Sequence, residues 1–237
     1  MRILGIDTAT QVAGTAVIGE DRLISERFIH NLKTHSQNII PMIQQVMDDA
    51  DLKPEQLHGI AVTGGPGSFT GLRIGMSVAK TMGMALNIPV IAVSTLKVLA
   101  WNVYGIDGLI CPVLDARKHQ VYTCIYESTS DGLIKLINPA ALSIGQLITE
   151  IFALAGKITF LGDAVPVFGD ILREELGDRA VFGTKINSFP RAAAVAELGL
   201  LRLKEGRLSD STFLQPEYLR KSEAEVAWEE KQRFVTE

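Results

Sequence analysis

Residues 65–75 read GPGSFTGLRIG and follow the apolar run Ile60-Ala61-Val62 closely in the chain. This order predicts a strand, a glycine-rich turn and a helix start, because glycine tolerates positive φ and Ser68 or Thr70 can cap a helix. Backbone N–H groups at such a helix start can hold an anion. The residues present exclude two familiar phosphate-binding loops. No Lys-Ser or Lys-Thr pair makes a Walker motif, and the glycine spacing does not fit a dinucleotide fingerprint.

The composition is that of a globular protein with a sizeable core. The chain has 237 residues, of which 47% are hydrophobic and 21% are charged, so it can form one domain or two small ones. Its 23 basic residues are scattered among 27 acidic ones, for a formal charge of −4. Since binding to the phosphate backbone needs clustered Lys and Arg, we do not expect this chain to bind a nucleic acid without another subunit.

Cysteine usage and the apolar runs bear on the compartment. Cys111 and Cys124 are the only cysteines, which is too few for a disulfide framework or a four-ligand metal cage. We find no signal-peptide core at the N-terminus and no run near the ~18 apolar residues of a membrane span. We therefore expect a cytoplasmic protein with no membrane partner.

The order of predicted elements occurs twice. Predicted strands cover 3–6, 13–18, 23–29, 59–63 and 89–93, with helices within 36–50, from 70 to about 86, and from Ser94 or Thr95 onward. From residue 109 the pattern restarts, with strands over 109–114, 120–126, 133–137 and 158–161, a helix from 143 to about 155, and another over 190–204.

Asp7 and Asp115 follow the corresponding first strands of the two repeats. We therefore predict an α/β protein of two duplicated β-β-β-α-β-α halves, the plan of the actin-like, sugar-kinase and Hsp70-like ATPase fold. The expected division is an N-terminal half over 1–104, a C-terminal half over 105–221 and a charged tail over 222–237. Trp228 and Phe234 either dock that tail on the body or leave it frayed.

Six segments, in one order along the chain, carry a resemblance to a known family. They are residues 2–10 (RILGIDTAT), 34–41 (THSQNIIP), 65–75, 93–96 (VSTL), 115–117 (DAR) and 216–220 (PEYLR). They resemble the TsaB family, the bacterial partner subunit in threonylcarbamoyladenosine modification of tRNA. The resemblance implies the same actin-like fold.

The resemblance also implies a function. The chain would be a non-catalytic dimerisation and activating subunit that pairs with the catalytic subunit TsaD and offers a platform for the ATPase TsaE. TsaD would transfer the threonylcarbamoyl group from its adenylate to N6 of the adenosine beside the anticodon. The chain would be a homodimer when alone, would reach tRNA only through the complex, and would have no activity by itself.

Two predicted helices indicate a surface for another chain. In the helix within 36–50 the apolar residues form an arc about 160° wide, more than a single-sided contact needs. In the helix from 70, small residues recur every fourth position, and each glycine costs up to ~1 kcal/mol relative to alanine, so another backbone should come close. The TsaB resemblance implies that these helices form a four-helix interface with TsaD or a second copy. The predicted interface residues are Ile39, Ile40, Ile43, Val46, Met47, Gly71, Arg73, Gly75, Ala79 and Gly83.

A second set of residues suits a nucleotide. Carboxylates at strand ends are the oxygen ligands that Mg²⁺ prefers, and hydroxyls beside them can face phosphates. Alternatively, Asp7 only bonds the N–H groups of its own turn. Near the place expected for the adenosine-cradling turn, the second half offers only Leu161-Gly162-Asp163. We expect no tightly bound cofactor, although ATP or ADP with Mg²⁺ can lie at or near the subunit interface. The candidate residues are Asp7, Thr8, Thr10, Gly67, Ser68 and Asp115.

Other chemistries have less support. His30 and His35 are five residues apart, which on a helix turns their side chains apart by about 140°, so we predict no metal site. In GSFTG the second glycine comes one residue too late for a nucleophile elbow. Two rival functions stay open: an autonomous ATPase or phosphotransferase that uses Asp7, Thr8 and Asp115, and a peptidase that acts on TsaD through Ser68.

Overall fold

The computed structural model describes residues 1–30, 34–206 and 214–220. The predicted tail over 222–237 lies outside the described residues. The first half contains β1 (Ile3–Asp7), β2 (Ala13–Ile18), β3 (Leu23–Ile29), α1 (His35–Asp49), β4 (Gly59–Gly65), α2 (Phe69–Leu86), β5 (Val90–Ser94) and α3 (Thr95–Trp101). The second half contains β6 (Leu109–Asp115), β7 (Gln120–Thr129), β8 (Gly132–Ser143), α4 (Ile144–Phe152), β9 (Ile158–Leu161), α5 (Val165–Leu176), β10 (Ala180–Phe182) and α6 (Ala192–Lys204).

Each half forms a five-stranded mixed sheet, and the two sheets share one topology. The first has the order β3-β2-β1-β4-β5 and the second has the order β10-β9-β6-β7-β8. In both, the first strand pairs antiparallel with the second and parallel with the fourth. When β6 is matched with β1, β7 with β2 and β9 with β4, the two orders are the same. The duplicated α/β plan expected from the sequence is therefore confirmed.

The central strands are buried on both faces, as their continuous apolar runs require. On one face of the first sheet, α1 and α2 cover Leu4, Ile6 and Val62, and their own Ile39 and Val46 complete that core. In the second half, α4 and α5 cover the corresponding sheet around Phe160 and Leu172. The pairs α1–α2 and α4–α5 are thus equivalent layers of the two halves.

Two helices lie between the sheets and cross the chain division. Residues of α3 pack on Ile110, Leu114 and Leu161 of the second sheet. In return, α6 packs on Ile3 and Ala61 of the first sheet. The division near residue 104 stays a prediction, since each half supplies part of the core of the other.

The expected elements are present with differences at their ends. α1 begins at His35 with Pro41 inside it, and β8 runs to Ser143 because it pairs along the whole of β7. The sequence reading did not assign α5 and β10. Among the described residues, no helix is both long and apolar enough to cross a membrane.

Candidate functional site

The loop after β4 is held tightly against the end of β1. The Ser68 N–H donates to the Ala9 carbonyl (2.7 Å), and a Cβ on Gly67 would lie 2.4 Å from the same oxygen, so only glycine fits. The Ser68 hydroxyl accepts from the Gly71 N–H (3.2 Å) and caps α2. The expected strand–turn–helix arrangement is confirmed, with Ser68 as the helix cap.

The threonines after β1 also make bonds within the chain. The Thr8 hydroxyl donates to the Gly71 carbonyl (2.7 Å) in a buried site and joins β1 to α2. The Thr10 hydroxyl accepts from the Val12 N–H (3.3 Å), and the Thr10 carbonyl contacts His35 Nε2 (2.7 Å). These groups therefore support the fold at the positions where hydroxyls for phosphates were expected.

Asp7 differs from these neighbours because its carboxyl is fully buried and only half satisfied. Oδ1 accepts from the Ala9 N–H (3.2 Å), whereas Oδ2 has no hydrogen-bond partner among the described residues. The Thr63 hydroxyl lies near enough to lower the pKa, yet it also completes no hydrogen bond within this part of the chain. Burial is the larger effect and raises the pKa of Asp7 to about 7.

Asp115 ends the corresponding strand of the second half in a different environment. Its carboxylate is half exposed, accepts from the Arg117 N–H (2.8 Å) and pairs with the Arg117 guanidinium (3.3 Å). Its own N–H donates to Asp163 Oδ1 (2.8 Å). The two aspartates occupy equivalent strand ends, but only Asp7 keeps a buried oxygen free of partners among the described residues.

A groove of about 490 Å³ lies between α1 and the first turns of α2. Its wall is mainly apolar, and among the described residues that line it Arg73 is the only charged one. The Arg73 guanidinium carbon lies 3.8 Å from the centre of the Phe69 ring, a cation–π contact that orients both side chains. The lining residues are Ser36, Ile39, Ile40, Phe69, Thr70, Arg73, Ile74, Ser77 and Val78.

The predicted interface residues separate into two groups in the structure. Ile40 is 53% exposed, and Arg73 is exposed beside it in the groove. The other predicted residues are buried in the chain's own core, although Ile39 also reaches the groove wall. These buried residues are Ile39, Ile43, Val46, Met47, Gly71, Gly75, Ala79 and Gly83.

The small residues that recur along α2 face the inside of the chain. This corrects the explanation from the sequence, which was the close approach of another chain. A Cβ on Gly71 would lie 2.0 Å from the Thr8 carbonyl oxygen, and one on Gly75 would lie 2.3 Å from the Thr8 hydroxyl. A Cβ on Gly83 would lie 2.3 Å from Val90 Cγ2. The groups that come close are therefore the chain's own Thr8, directly after β1, and Val90 of β5.

Sequence reasoning missed most of the exposed groove wall. Phe69, Ile74 and Val78 line it but were not among the predicted residues. A signal was present, since Ile74 and Val78 are four residues apart and Arg73 and Ser77 follow the same spacing. The prediction instead followed the recurring small residues, which lie on a different face of the same helix.

A short segment near the C-terminal end of the described chain also reaches this region. We call residues 214–220 the strap. Its Glu217 N–H donates to the Gly64 carbonyl (2.6 Å), and its Tyr218 ring lies 4.6 Å from the Phe69 ring. The sequence marked 216–220 as a family segment but gave it no position in the fold.

Neither a metal centre nor a reactive thiol is formed by the described residues. They contain no group of three or more His, Cys, Asp or Glu side chains placed to hold a metal ion. His30 and His35 instead contact Gln11 and the Thr10 carbonyl. Burial raises the pKa of the Cys111 thiol to about 12, so it stays protonated and inert at neutral pH.

The duplicated sheets, with an aspartate at the end of each first strand, define an α/β protein of the actin-like ATPase fold. A solved structure with the same fold is the activator of the 2-hydroxyisocaproyl-CoA dehydratase from Clostridium difficile with bound ADPNP. It aligns with a TM-score of 0.50 at 10% identity and covers 87% of this chain and 97% of that one.

Sequence comparisons identify the family. The model for TsaD, tRNA N6-adenosine threonylcarbamoyltransferase, matches residues 24–228. The tRNA threonylcarbamoyladenosine biosynthesis protein TsaB of Bacillus subtilis is 36% identical over 233 residues, which cover 98% of this chain and 100% of that protein. A crystal structure of a Pseudomonas aeruginosa protein with similarity to the peptidase YeaZ aligns with a TM-score of 0.80 at 25% identity, over 92% of this chain and 99% of that one. The chain therefore belongs to the family that the TsaD model describes and, within it, to the TsaB family.

Proposed function

We propose that this chain is a non-catalytic subunit of the complex that forms threonylcarbamoyladenosine in tRNA. It docks on a TsaD-like catalytic subunit, which carries out the threonylcarbamoyl transfer to the adenosine beside the anticodon. In the same proposal a TsaE-like ATPase binds the assembled pair, tRNA is held only by the complex, and the isolated chain forms a homodimer. The family names of its relatives support the pathway, and the groove supports the docking.

The observation that carries the proposal is the exposed apolar groove between α1 and α2. Ile40 leaves half of its surface exposed there, beside the half-buried Phe69, Ile74 and Val78. Contiguous apolar surface of this kind marks interaction sites in globular proteins. A stable complex should bury on the order of 800 Å² per partner, which requires both helices and not the groove alone.

The residues available for chemistry support a non-catalytic role. The Thr8 and Ser68 hydroxyls are engaged within the chain, and Asp115 is paired with Arg117. Without a base beside Ser68 among its described hydrogen-bond partners, a peptidase mechanism has no activated nucleophile. Activation of TsaD would then depend on the docked subunit favouring one conformation of its partner.

Two exposed isoleucines provide the test. Ile40 and Ile134 have nearly the same exposure, 53% and 51%, but Ile134 lies on β8 of the other half. Ile40→Asp places a charge in the groove and should weaken TsaD binding at least ~10-fold in calorimetry, because a buried interface does not tolerate an unpaired charge. Ile134→Asp should bind like the wild type. Equal affinities for the two variants would refute docking at this groove.

A second candidate is an autonomous ATPase, which is favoured by Asp7 Oδ2, an oxygen without a hydrogen-bond partner among the described residues. Calorimetry of the purified chain with Mg-ATP separates the two functions. Our proposal expects neither micromolar binding nor turnover in the absence of partners. Tight binding with turnover that Asp7→Asn abolishes would support the ATPase instead.

A further inference from the structure

The strap runs from α2 of the first half to the start of the β6–β7 turn of the second. At one end, Lys80 Nζ of α2 donates to the Leu214 carbonyl (3.2 Å). In the middle, the Glu217 N–H donates to the Gly64 carbonyl (2.6 Å) at the end of β4. At the other end, Arg220 Nη1 donates to the Ala116 carbonyl (3.0 Å), directly after β6. Seven residues therefore contact both halves.

The middle of the strap supports one end of the groove. The Tyr218 ring packs at a tilt against the Phe69 ring, and the Tyr218 hydroxyl accepts a hydrogen bond from Arg73 Nε (3.1 Å). Phe69 and Arg73 both line the groove. With Tyr218 in place, the two side chains are held in one arrangement. Without it they would gain rotamer freedom, which a docking partner would have to remove.

The end of the strap depends on the position of the second half. Arg220 can donate to the Ala116 carbonyl only when Ala116 lies within reach of the strap, and the middle of the strap is bonded to Gly64 of the first half. Burial raises the pKa of Tyr122 in β7, and the nearby Arg220 charge offsets part of that rise. The contacts that the strap makes with both halves therefore depend on how the two halves are placed relative to each other.

We propose that the strap couples docking at the groove to the relative arrangement of the two halves. A partner in the groove favours the ordered arrangement of Phe69 and Arg73. That arrangement favours the strap in its observed position, because Tyr218 contacts both side chains. In that position the strap bonds Ala116 through Arg220 and so holds the second half against the first. Binding linkage is reciprocal, so an arrangement of the halves that seats the strap also strengthens docking. The inference rests on the proposed docking of a TsaD-like subunit.

The test uses two arginines near the same turn. Arg220 donates to the Ala116 carbonyl and is not among the described residues that line the groove, whereas Arg117 carries the same charge and pairs with Asp115 instead. With purified TsaD as the probe, Arg220→Ala should weaken binding by a factor of the order of 5 to 150, the usual range of coupling between sites. Arg117→Ala should change it less than about twofold.

A double-mutant cycle completes the design. Tyr218→Ala should weaken docking, and the double variant with Arg220→Ala should lose less than the product of the two single effects, because either change alone releases the strap. Additive effects would overturn the coupling. So would a loss in Tyr218→Ala with wild-type binding in Arg220→Ala, since Tyr218 would then act only by touching the partner.

A measurement on the wild-type chain tests the coupling without any substitution that could disturb folding. Saturation with TsaD should slow hydrogen exchange of the Glu217 amide, because docking stabilises its bond to Gly64. An unchanged rate at Glu217 would contradict the inference.

The Ile40→Asp variant distinguishes a failure of the coupling from a failure of the docking proposal. If Ile40→Asp loses docking while Arg220→Ala retains it, only the coupling is wrong. If Ile40→Asp binds normally, the docking groove itself is wrong.

Discussion

Asp7 shows how one residue type serves different purposes at equivalent positions. At the end of β1 its carboxyl is buried, and one oxygen has no partner in the described part of the chain, whereas Asp115 at the end of β6 is half exposed and paired with Arg117. Burial of a carboxyl favours the neutral acid, which is why its pKa is raised to about 7. The sequence predicted two corresponding aspartates but could not predict this difference, since the partners of Asp115 come from the β6–β7 turn and the β9–α5 loop.

The raised pKa of Asp7 makes the stability of the chain depend on pH. The folded state binds the proton more tightly than the unfolded state, so this contribution is complete below about pH 4 and is lost as pH rises to about 7, at roughly 1.4 kcal/mol per unit. Asp7→Asn removes the titration and should be more stable than wild type at pH 8, with a smaller advantage at pH 5. Urea denaturation at both pH values measures it. Asp115→Asn is the control, and a pH-independent difference for Asp7→Asn would contradict the explanation.

The inward-facing glycines of α2 give a second prediction. A Cβ on Gly71 would overlap the Thr8 carbonyl oxygen at 2.0 Å, so Gly71→Ala should lower the free energy of unfolding by about 3 kcal/mol or prevent folding. Gly145 in α4 has nothing within 4 Å of its Cβ position. Gly145→Ala should be neutral or stabilise by up to ~1 kcal/mol. Similar effects of the two variants on urea denaturation would disprove the close packing.

At the scale of elements, the sequence predicted where α1 and α2 lie better than which way they face. A row of glycines shows that some backbone comes close, but a single sequence does not show whether that backbone belongs to the same chain. Here Thr8 supplies it. The strap was not placed at all, because 214–220 lacks strand or helix periodicity and is positioned by contacts with residues far away in the sequence. The strands were predictable because alternation and apolar runs are local signals.

A largely buried ion pair joins the start of α6 to β3 of the first sheet. Glu26 of β3, with a side chain only 6% exposed, pairs with Arg191 and also accepts from the Ala193 N–H (3.0 Å) at the start of α6. This pairing raises the pKa of Arg191. Removal of one partner leaves the other desolvated and unpaired.

Glu26→Ala should therefore lower the free energy of unfolding by about 3 kcal/mol. Asp49, which pairs with Arg27 at the surface, is a matched control, and Asp49→Ala should cost less than about 1 kcal/mol. Thermal or urea unfolding compares the two. Equal losses would show that the Glu26 pair is no more than a surface contact.

At the scale of the whole molecule, the two halves share a topology but not a surface. In the first half the helix pair α1–α2 leaves an apolar groove, and Tyr218 of the strap contacts Phe69 at one end of it. α3 and α6 are exchanged between the sheets, so that each sheet packs against a helix contributed by the other half. The duplicated plan was predictable from the order of elements, whereas the difference between the halves depends on packing that no local pattern contains.

The central claim is that the α1–α2 face docks a TsaD-like subunit, and hydrogen exchange of the chain with and without saturating TsaD tests it most directly. We predict slower exchange in peptides that cover residues 36–41 and 69–78, with no change in the equivalent helices α4 and α5. Unchanged exchange over 36–41 and 69–78, with protection confined to α4 and α5, would contradict the account.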